Sequence, residues 1–161
     1  MHDRNNPLKN IPPYSFTIIQ ASHTEFHKHL LDIPLRYPTG RITYINNHQF
    51  VPLLKLKEEH QNRLDHLIRE TLSELLSTIE SDKSAIIFIE YHLVWFGVDK
   101  PDQMLMFNEI CRKRAQKGGP VVLITAIMDR ELLTLDGKAD YFYQMGKIEY
   151  QGRSRAMKEQ I

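Results

Sequence analysis

The stretch SAIIFIEYHLVWFG, residues 84–97, decides the fold that this sequence predicts. Its first half, residues 85–89, is a continuous apolar run rich in β-branched and aromatic side chains. Such a run is typical of a strand that is buried on both faces, as in a parallel sheet covered by helices. The run ends at Glu90, and ligands of open α/β sheets bind at the carboxyl ends of the strands. We therefore expect a central strand with a carboxylate at its end. This carboxylate is a candidate catalytic acid, and the alternative is a hydrated side chain or one that caps a neighbouring helix.

The rest of the chain alternates between strand-like and helix-like patterns. Short apolar runs predict further strands at residues 16–21, 41–46, 121–126 and 139–145. Between them, apolar residues spaced by three and four predict amphipathic helices, the longest over residues 57–81. This alternation predicts an α/β three-layer sandwich with a mainly parallel sheet. The last predicted strand can also pair with residues 147–150 as an antiparallel hairpin at one edge.

The length of 161 residues predicts a single domain, which we place at residues 16–150. Residues 1–15 are polar and contain three prolines, so we expect an extended or disordered arm there. Residues 151–161 form a basic carboxyl-terminal tail. The domain therefore carries the fold, and the two ends are expected to lie outside it.

Composition and patterning also bear on where the protein works. The net charge is +1, so no strong overall field attracts the chain to nucleic acid or to an anionic membrane. The single cysteine, Cys111, excludes an internal disulfide and fits a reducing compartment. We find no signal-peptide pattern and no apolar run of the roughly 20 residues that a membrane helix needs. We expect a soluble, cytoplasmic protein without a membrane partner.

Three stretches, in this order along the chain, resemble the core of the RecA-like ATPases, and most of all the archaeal branch of KaiC-type and RadA-paralogue proteins. The first is the predicted strand and helix at residues 16–31. The second, residues 85–90, has the place of that family's Walker B strand, with Glu90 as its acidic residue. The third is VVLITAIMDRELLTLDGKADYFYQMGK, residues 121–147. The resemblance implies a RecA-like central sheet over residues 16–150.

The segment in the place of the family's phosphate-binding loop departs from the expected motif. A P-loop has the spacing GxxxxGK[ST], in which glycines let backbone N–H groups surround the phosphates. Residues 20–29 read QASHTEFHKH, without a glycine. Lys28 can take the place of the P-loop lysine, but His29 follows it instead of Ser or Thr, and Glu25 adds a negative charge where phosphate would sit.

The degenerate loop leads to two hypotheses. The first is a non-catalytic RecA-like scaffold without a cofactor, a pseudo-ATPase that assembles with itself or with a RecA-family protein. The second is an atypical NTPase or nucleotide sensor that binds ATP with Mg²⁺ through Lys28 and Glu90. The second hypothesis requires these two side chains to converge on one pocket.

A pair of histidines supports a third hypothesis, a small metal-dependent enzyme. His23 and His27 are four residues apart, which places two imidazoles on one helix face, as in sites where both bind one metal ion. The pattern is not a complete ligand set, so a third ligand must come from elsewhere. The candidates are His48, His92 and Glu90. Ordinary polar histidines on a loop or helix surface are the alternative.

The aromatic residues Tyr91, Trp95 and Phe96 continue the apolar pattern beyond the carboxyl end of the central strand. Exposed aromatic side chains there would mark a site for a protein partner, because such residues dominate interface energetics. Alternatively, they pack under the helix that follows. The sequence leaves both interpretations open.

Two basic groups are candidates for nucleic-acid contact. One comprises residues 112–114 with Lys117, and the other comprises Arg153, Arg155 and Lys158 in the tail. Either group can contact phosphates. The alternative is a solvated helix face, the usual role of a charge run in a chain whose net charge is near zero.

Overall fold

Six β-strands and four α-helices form the part of the chain that the computed structural model describes, residues 7–30, 32–33, 40–48, 63–97 and 100–145. The strands are β1 (Phe16–Gln20), β2 (Ile42–Asn46), β3 (Leu64–Ile68), β4 (Ile86–Glu90), β5 (Val121–Thr125) and β6 (Tyr141–Gln144). The helices are α1 (His23–Leu30), α2 (Leu72–Ser81), α3 (Pro101–Gly118) and α4 (Arg130–Leu133). Short 3-10 turns occur at Pro7–Lys9 and Leu93–Trp95.

The six strands form one sheet in the order β3-β2-β4-β5-β1-β6, and every pair among them is parallel. This confirms the predicted α/β class with a parallel sheet. The predicted central strand is β4, which pairs with β2 on one side and β5 on the other. The last predicted strand is β6, which pairs in parallel with β1. The antiparallel hairpin proposed for residues 147–150 lies outside the described residues.

The four inner strands β1, β2, β4 and β5 are buried along their whole length. Neighbouring residues of β4 belong to different apolar clusters, because successive side chains of a strand point to opposite faces. Ile87 and Ile89 pack in a cluster with side chains of α2 and α3. Ile86 and Phe88 pack in a second cluster with side chains of α1. Burial on both faces explains why β4 and β5 appear in the sequence as continuous apolar runs.

The prediction of one long helix over residues 57–81 is wrong for residues 64–68, which form the edge strand β3. Residues 57–62 lie outside the described residues. Leu64, Leu67 and Ile68 have helical spacing, but in β3 only Leu64 is buried, because an edge strand has fewer neighbours. The helix begins later, where Thr71 caps α2 by accepting a hydrogen bond from the N–H of Glu74 at 3.2 Å. Strand pairing with β2 therefore overrides the local helical pattern.

Of the two predicted terminal segments, the structure describes only part of the amino-terminal arm. Within the predicted arm, the turn Pro7–Lys9 buries Leu8 in the apolar cluster that contains α1 side chains. Residues 1–6 and the basic tail at 151–161 lie outside the described part of the chain. Among the described residues, the helices are all too short or too polar to cross a membrane.

Candidate functional site

Glu90 is the last residue of β4, and only 3% of it is exposed to solvent. Its side chain extends from the same face of β4 as Ile86 and Phe88, the face on which α1 packs. Burying a carboxylate is unfavourable unless charged or hydrogen-bonding groups surround it. The groups that surround Glu90 therefore define the candidate site.

Helix α1 brings two imidazoles to this carboxylate. The Ser22 hydroxyl accepts a hydrogen bond from the N–H of Glu25 at 3.1 Å, which starts the helix soon after β1 ends. His23 Nδ1 lies 2.9 Å from Glu90 Oε1, and His27 Nε2 lies 3.9 Å from Glu90 Oε2. The two imidazole centroids are 5.8 Å apart, one helical turn along α1. The structure therefore joins the predicted histidine pair to the predicted carboxylate.

These three side chains can act as one ligand set. One donor atom from each of His23, His27 and Glu90 lies within 4.8 Å of the other two. Two imidazole nitrogens with one carboxylate oxygen form a donor set found in catalytic zinc sites, which keep a further position for water or substrate. Of the three candidates for a third ligand, Glu90 is the one that the structure brings to the histidine pair.

Strands β2 and β3 place further polar side chains next to this ligand set. The Tyr44 hydroxyl donates a hydrogen bond to Glu90 Oε2 from within the core. Two residues further along the same face of β2, Asn46 Oδ1 lies 2.8 Å from His66 Nε2 and accepts a hydrogen bond from the N–H of His48 at 3.2 Å. Polar groups from three neighbouring strands thus meet at the carboxyl end of the sheet.

Sequence reasoning did not select Tyr44, Asn46 or His66. The available signal was positional, because Tyr44 and Asn46 alternate on one face at the end of a predicted strand. The helical spacing around His66 predicts a helix, which has no backbone pairing with β2, so the local sequence gives no sign of the contact between His66 and Asn46. Only the pairing of β2 with β3 and β4 brings these residues together.

The protonation states of this cluster follow from its burial. Burial lowers the pKa of His27, although the neighbouring Glu90 charge acts in the opposite direction. Burial also lowers the pKa of His66. The pKa of Tyr44 is raised, first by burial and then by the adjacent Glu90 charge. At neutral pH, therefore, His27 has the neutral form that binds metals, and Tyr44 keeps the proton it donates to Glu90.

The two residues proposed for a nucleotide site, Lys28 and Glu90, have different partners in the structure. Lys28 is 68% exposed by side chain, and its Nζ lies 3.8 Å from Oε2 of Glu25 on the same helix. The charged and polar neighbours of Glu90 are instead His23, His27 and Tyr44. Among the described residues, the contacts of Lys28 and those of Glu90 do not include each other.

The aromatic segment after Glu90 lies mostly in the core. Trp95 and Phe96 are buried, and the Phe96 ring packs edge-on against Phe107 of α3 at 5.4 Å. Tyr91 stacks on Phe96 at 5.8 Å and donates a hydrogen bond to Asp129 Oδ2 at 2.8 Å. Of the two interpretations of this segment, the structure therefore agrees with packing under the helix that follows.

Three of the remaining predicted residues have local partners in the described part of the chain. His92 Nδ1 accepts a hydrogen bond from the N–H of Val94 at 3.2 Å and caps the 3-10 turn that follows. Arg112 pairs with Asp140 at 3.2 Å, and Lys113 lies 3.9 Å from Glu109. These contacts fit a charged helix surface for Arg112 and Lys113, whereas Arg114 of the same predicted basic group is buried. The second basic group, Arg153, Arg155 and Lys158, is in the part of the chain that is not described.

Fold and site together define an α/β protein with a His/His/Glu cluster at the carboxyl edge of a parallel sheet. No model of a known protein family matches this sequence. A search of curated proteins gives no match either. Function is therefore inferred from the chemistry of the site.

Proposed function

We propose that this protein binds one divalent transition-metal ion through His23, His27 and Glu90 and works as a small metal-dependent enzyme. The observation that carries the proposal is the mutual approach of the three donor groups to within 4.8 Å. Two imidazoles and one carboxylate suit Zn²⁺, as in catalytic zinc sites, and also Fe²⁺, as in iron sites with two histidines and one carboxylate. When bound there, such an ion supplies Lewis acidity and can activate a water molecule near neutral pH.

The uneven exposure of the three donors supports a catalytic rather than a purely structural role. His23 is 60% exposed by side chain, whereas the Glu90 side chain is 4% exposed. One side of the donor set therefore faces solvent, and the other is enclosed by the sheet and α1. A structural zinc site uses four protein ligands, whereas a catalytic site combines three with an accessible position.

The place of the cluster in the fold also supports the proposal. The donors come from the end of β4 and from the helix that follows β1, with only β5 between these two strands. Ligands of open parallel sheets bind in the crevice beyond the carboxyl ends of the strands. We also propose that the chain has a RecA-like three-layer architecture. In this architecture, a metal ion instead of a nucleotide would occupy the crevice.

The test is a titration of chelator-treated protein with Zn²⁺ and Co²⁺ by calorimetry, together with metal analysis of the purified chain. We expect one ion per chain. We expect His27→Ala and Glu90→Gln each to weaken metal binding by about 100-fold or more. This loss exceeds the 10–100-fold that is typical when a residue that only hydrogen-bonds to a ligand is changed. His29→Ala is the matched control, because His29 lies on α1 but faces Glu25 at 3.5 Å. Absence of stoichiometric binding by the wild type would refute the proposal.

Catalysis is tested separately with chromogenic ester and phosphodiester substrates. We expect turnover that needs added metal, is lost in Glu90→Gln and is retained in His29→Ala. Metal binding without metal-dependent turnover of either substrate would support a binding role and contradict hydrolysis of these two classes.

A second candidate is the non-catalytic RecA-like scaffold without a working ATP site, which assembles with itself or with a RecA-family partner. The glycine-free loop favours it, and Glu25, whose Oε2 lies 3.8 Å from Lys28 Nζ, adds a negative charge where phosphate would sit. Calorimetric titration with ATP and Mg²⁺ separates this scaffold from the nucleotide-binding hypothesis. No binding agrees with a lost nucleotide site, whereas micromolar binding that Lys28→Ala abolishes would favour the nucleotide-binding hypothesis.

A further inference from the structure

We propose that Tyr44 is the positioning residue of the metal site, because it holds the Glu90 carboxylate and the histidine-bearing helix α1 in one arrangement. The inference rests on the proposed function, since it concerns the same ligand set. It adds a role for a side chain that contributes no ligand.

The hydroxyl of Tyr44 fixes the orientation of Glu90. It donates a hydrogen bond to Oε2, while Oε1 lies 2.9 Å from His23 Nδ1. The two carboxylate oxygens therefore have different environments, and Oε1 is directed toward the exposed histidine. Oε2 also lies 3.9 Å from His27 Nε2, so the hydrogen bond from Tyr44 holds the carboxylate with one oxygen toward each histidine.

The ring of Tyr44 holds the helix that carries the histidines. It stacks on Phe26 with centroids 6.1 Å apart and the ring planes within 15° of parallel. Phe26 is fully buried and lies between His23 and His27 on α1. Phe26 also contacts Phe88 of β4 at 6.3 Å, so the same aromatic group connects both ligand-bearing elements. Lateral displacement of α1 would disrupt this stacking.

The site thus has the two levels that functional metal centres share, ligands and the groups that orient them. Tyr44 combines both kinds of support in one side chain, a hydrogen bond to the carboxylate and an aromatic contact to the helix. Removal of the hydroxyl alone separates the two, because Tyr44→Phe retains the ring.

The experiment compares Tyr44→Phe with Tyr91→Phe as the matched control. Tyr91 also donates a hydrogen bond to a carboxylate, that of Asp129 at 2.8 Å, but outside the ligand set. We expect Tyr44→Phe to weaken Co²⁺ and Zn²⁺ binding by about 10–100-fold and to change the visible absorption of the bound Co²⁺. Tyr91→Phe should leave the metal affinity and the spectrum unchanged. If both tyrosines had a purely structural role, the two variants would not differ in this way.

The outcomes distinguish this inference from the proposed function. If the wild type binds neither ion, the proposed function fails. If the wild type binds and Tyr44→Phe binds with the same affinity and spectrum, the positioning role of the hydroxyl is refuted. Phe26→Leu tests the ring contact even if Tyr44→Phe does not fold: a several-fold loss of affinity is expected, and an unchanged affinity would overturn that part of the inference.

Discussion

The two ends of the parallel sheet both contain a buried charge, but they satisfy it in different ways. At the amino end, Arg114 of α3 donates hydrogen bonds to the carbonyls of Asp82, Ser84 and Gly119 at 2.9, 2.6 and 3.2 Å. It also lies 3.6 Å from the Asp82 carboxylate. At the carboxyl end, Glu90 is surrounded by the side chains of His23, His27 and Tyr44.

The different partners of the two buried charges suit the two ends of the sheet to different roles. Backbone carbonyls neither titrate nor change partners easily, so the Arg114 end is a fixed junction between α3 and the strands. Gly119 contributes to this junction, because its φ of +141° and the 2.2 Å approach of an added Cβ to the carbonyl oxygen of Ala85 exclude a side chain there. Imidazoles can lose a proton and accept a metal ion, so the proposed function requires the Glu90 end to exchange its partners.

The largest expected effect is at the fixed end. Arg114→Met should lower the free energy of unfolding by about 3–5 kcal/mol, because it leaves buried acceptors and the Asp82 carboxylate without their donor. Urea denaturation measures the loss. Lys113→Met is the control, since Lys113 is an exposed neighbour on α3 and should change stability by less than about 0.5 kcal/mol. Equal stability of the two variants would contradict a structural role for the Arg114 end.

At the exchangeable end, a change of charge should affect stability less. Glu90→Gln keeps the shape of the side chain and an acceptor for the Tyr44 hydroxyl, so we expect the metal-free protein to lose less than about 2 kcal/mol. Urea denaturation after chelator treatment gives this value. A loss as large as that of Arg114→Met would mean that Glu90 is primarily structural.

The smallest expected effect is the response of stability to acid. The folded pKa values of His27 and His66 lie below the ordinary histidine value of 6.5, so the unfolded chain binds protons more tightly than the folded protein. Their contribution to stability is fully present above pH 6.5 and is lost as the pH falls below that value toward the folded pKa values.

Unfolding free energies measured in urea from pH 7.5 to 5.0 test this expectation. His66→Gln should reduce the acid-induced loss, whereas Arg114→Met should retain it, because that variant keeps both His27 and His66. An acid response that disappears in Arg114→Met would reverse the assignment of fixed and exchangeable ends.

Much of the fold could be predicted from local sequence. The apolar runs at β4 and β5 indicated buried parallel strands, because a strand covered on both faces needs apolar residues at every position. The assignment of residues 64–68 was wrong, because Leu64, Leu67 and Ile68 have helical spacing and only pairing with β2 selects the strand. The local sequence likewise leaves the burial of Trp95 and Phe96 undetermined, because their burial depends on packing against α3.

By itself, the sequence determined that this chain has a parallel α/β core, a carboxylate at the end of a central strand and two imidazoles one helical turn apart. Only the tertiary structure decided that Glu90 meets those imidazoles and that Tyr44, 46 residues away from it, donates a hydrogen bond to it. The reason is physical. Apolar periodicity depends on local geometry, whereas the meeting of side chains from β2, β4 and α1 depends on the strand order, which local propensity does not contain.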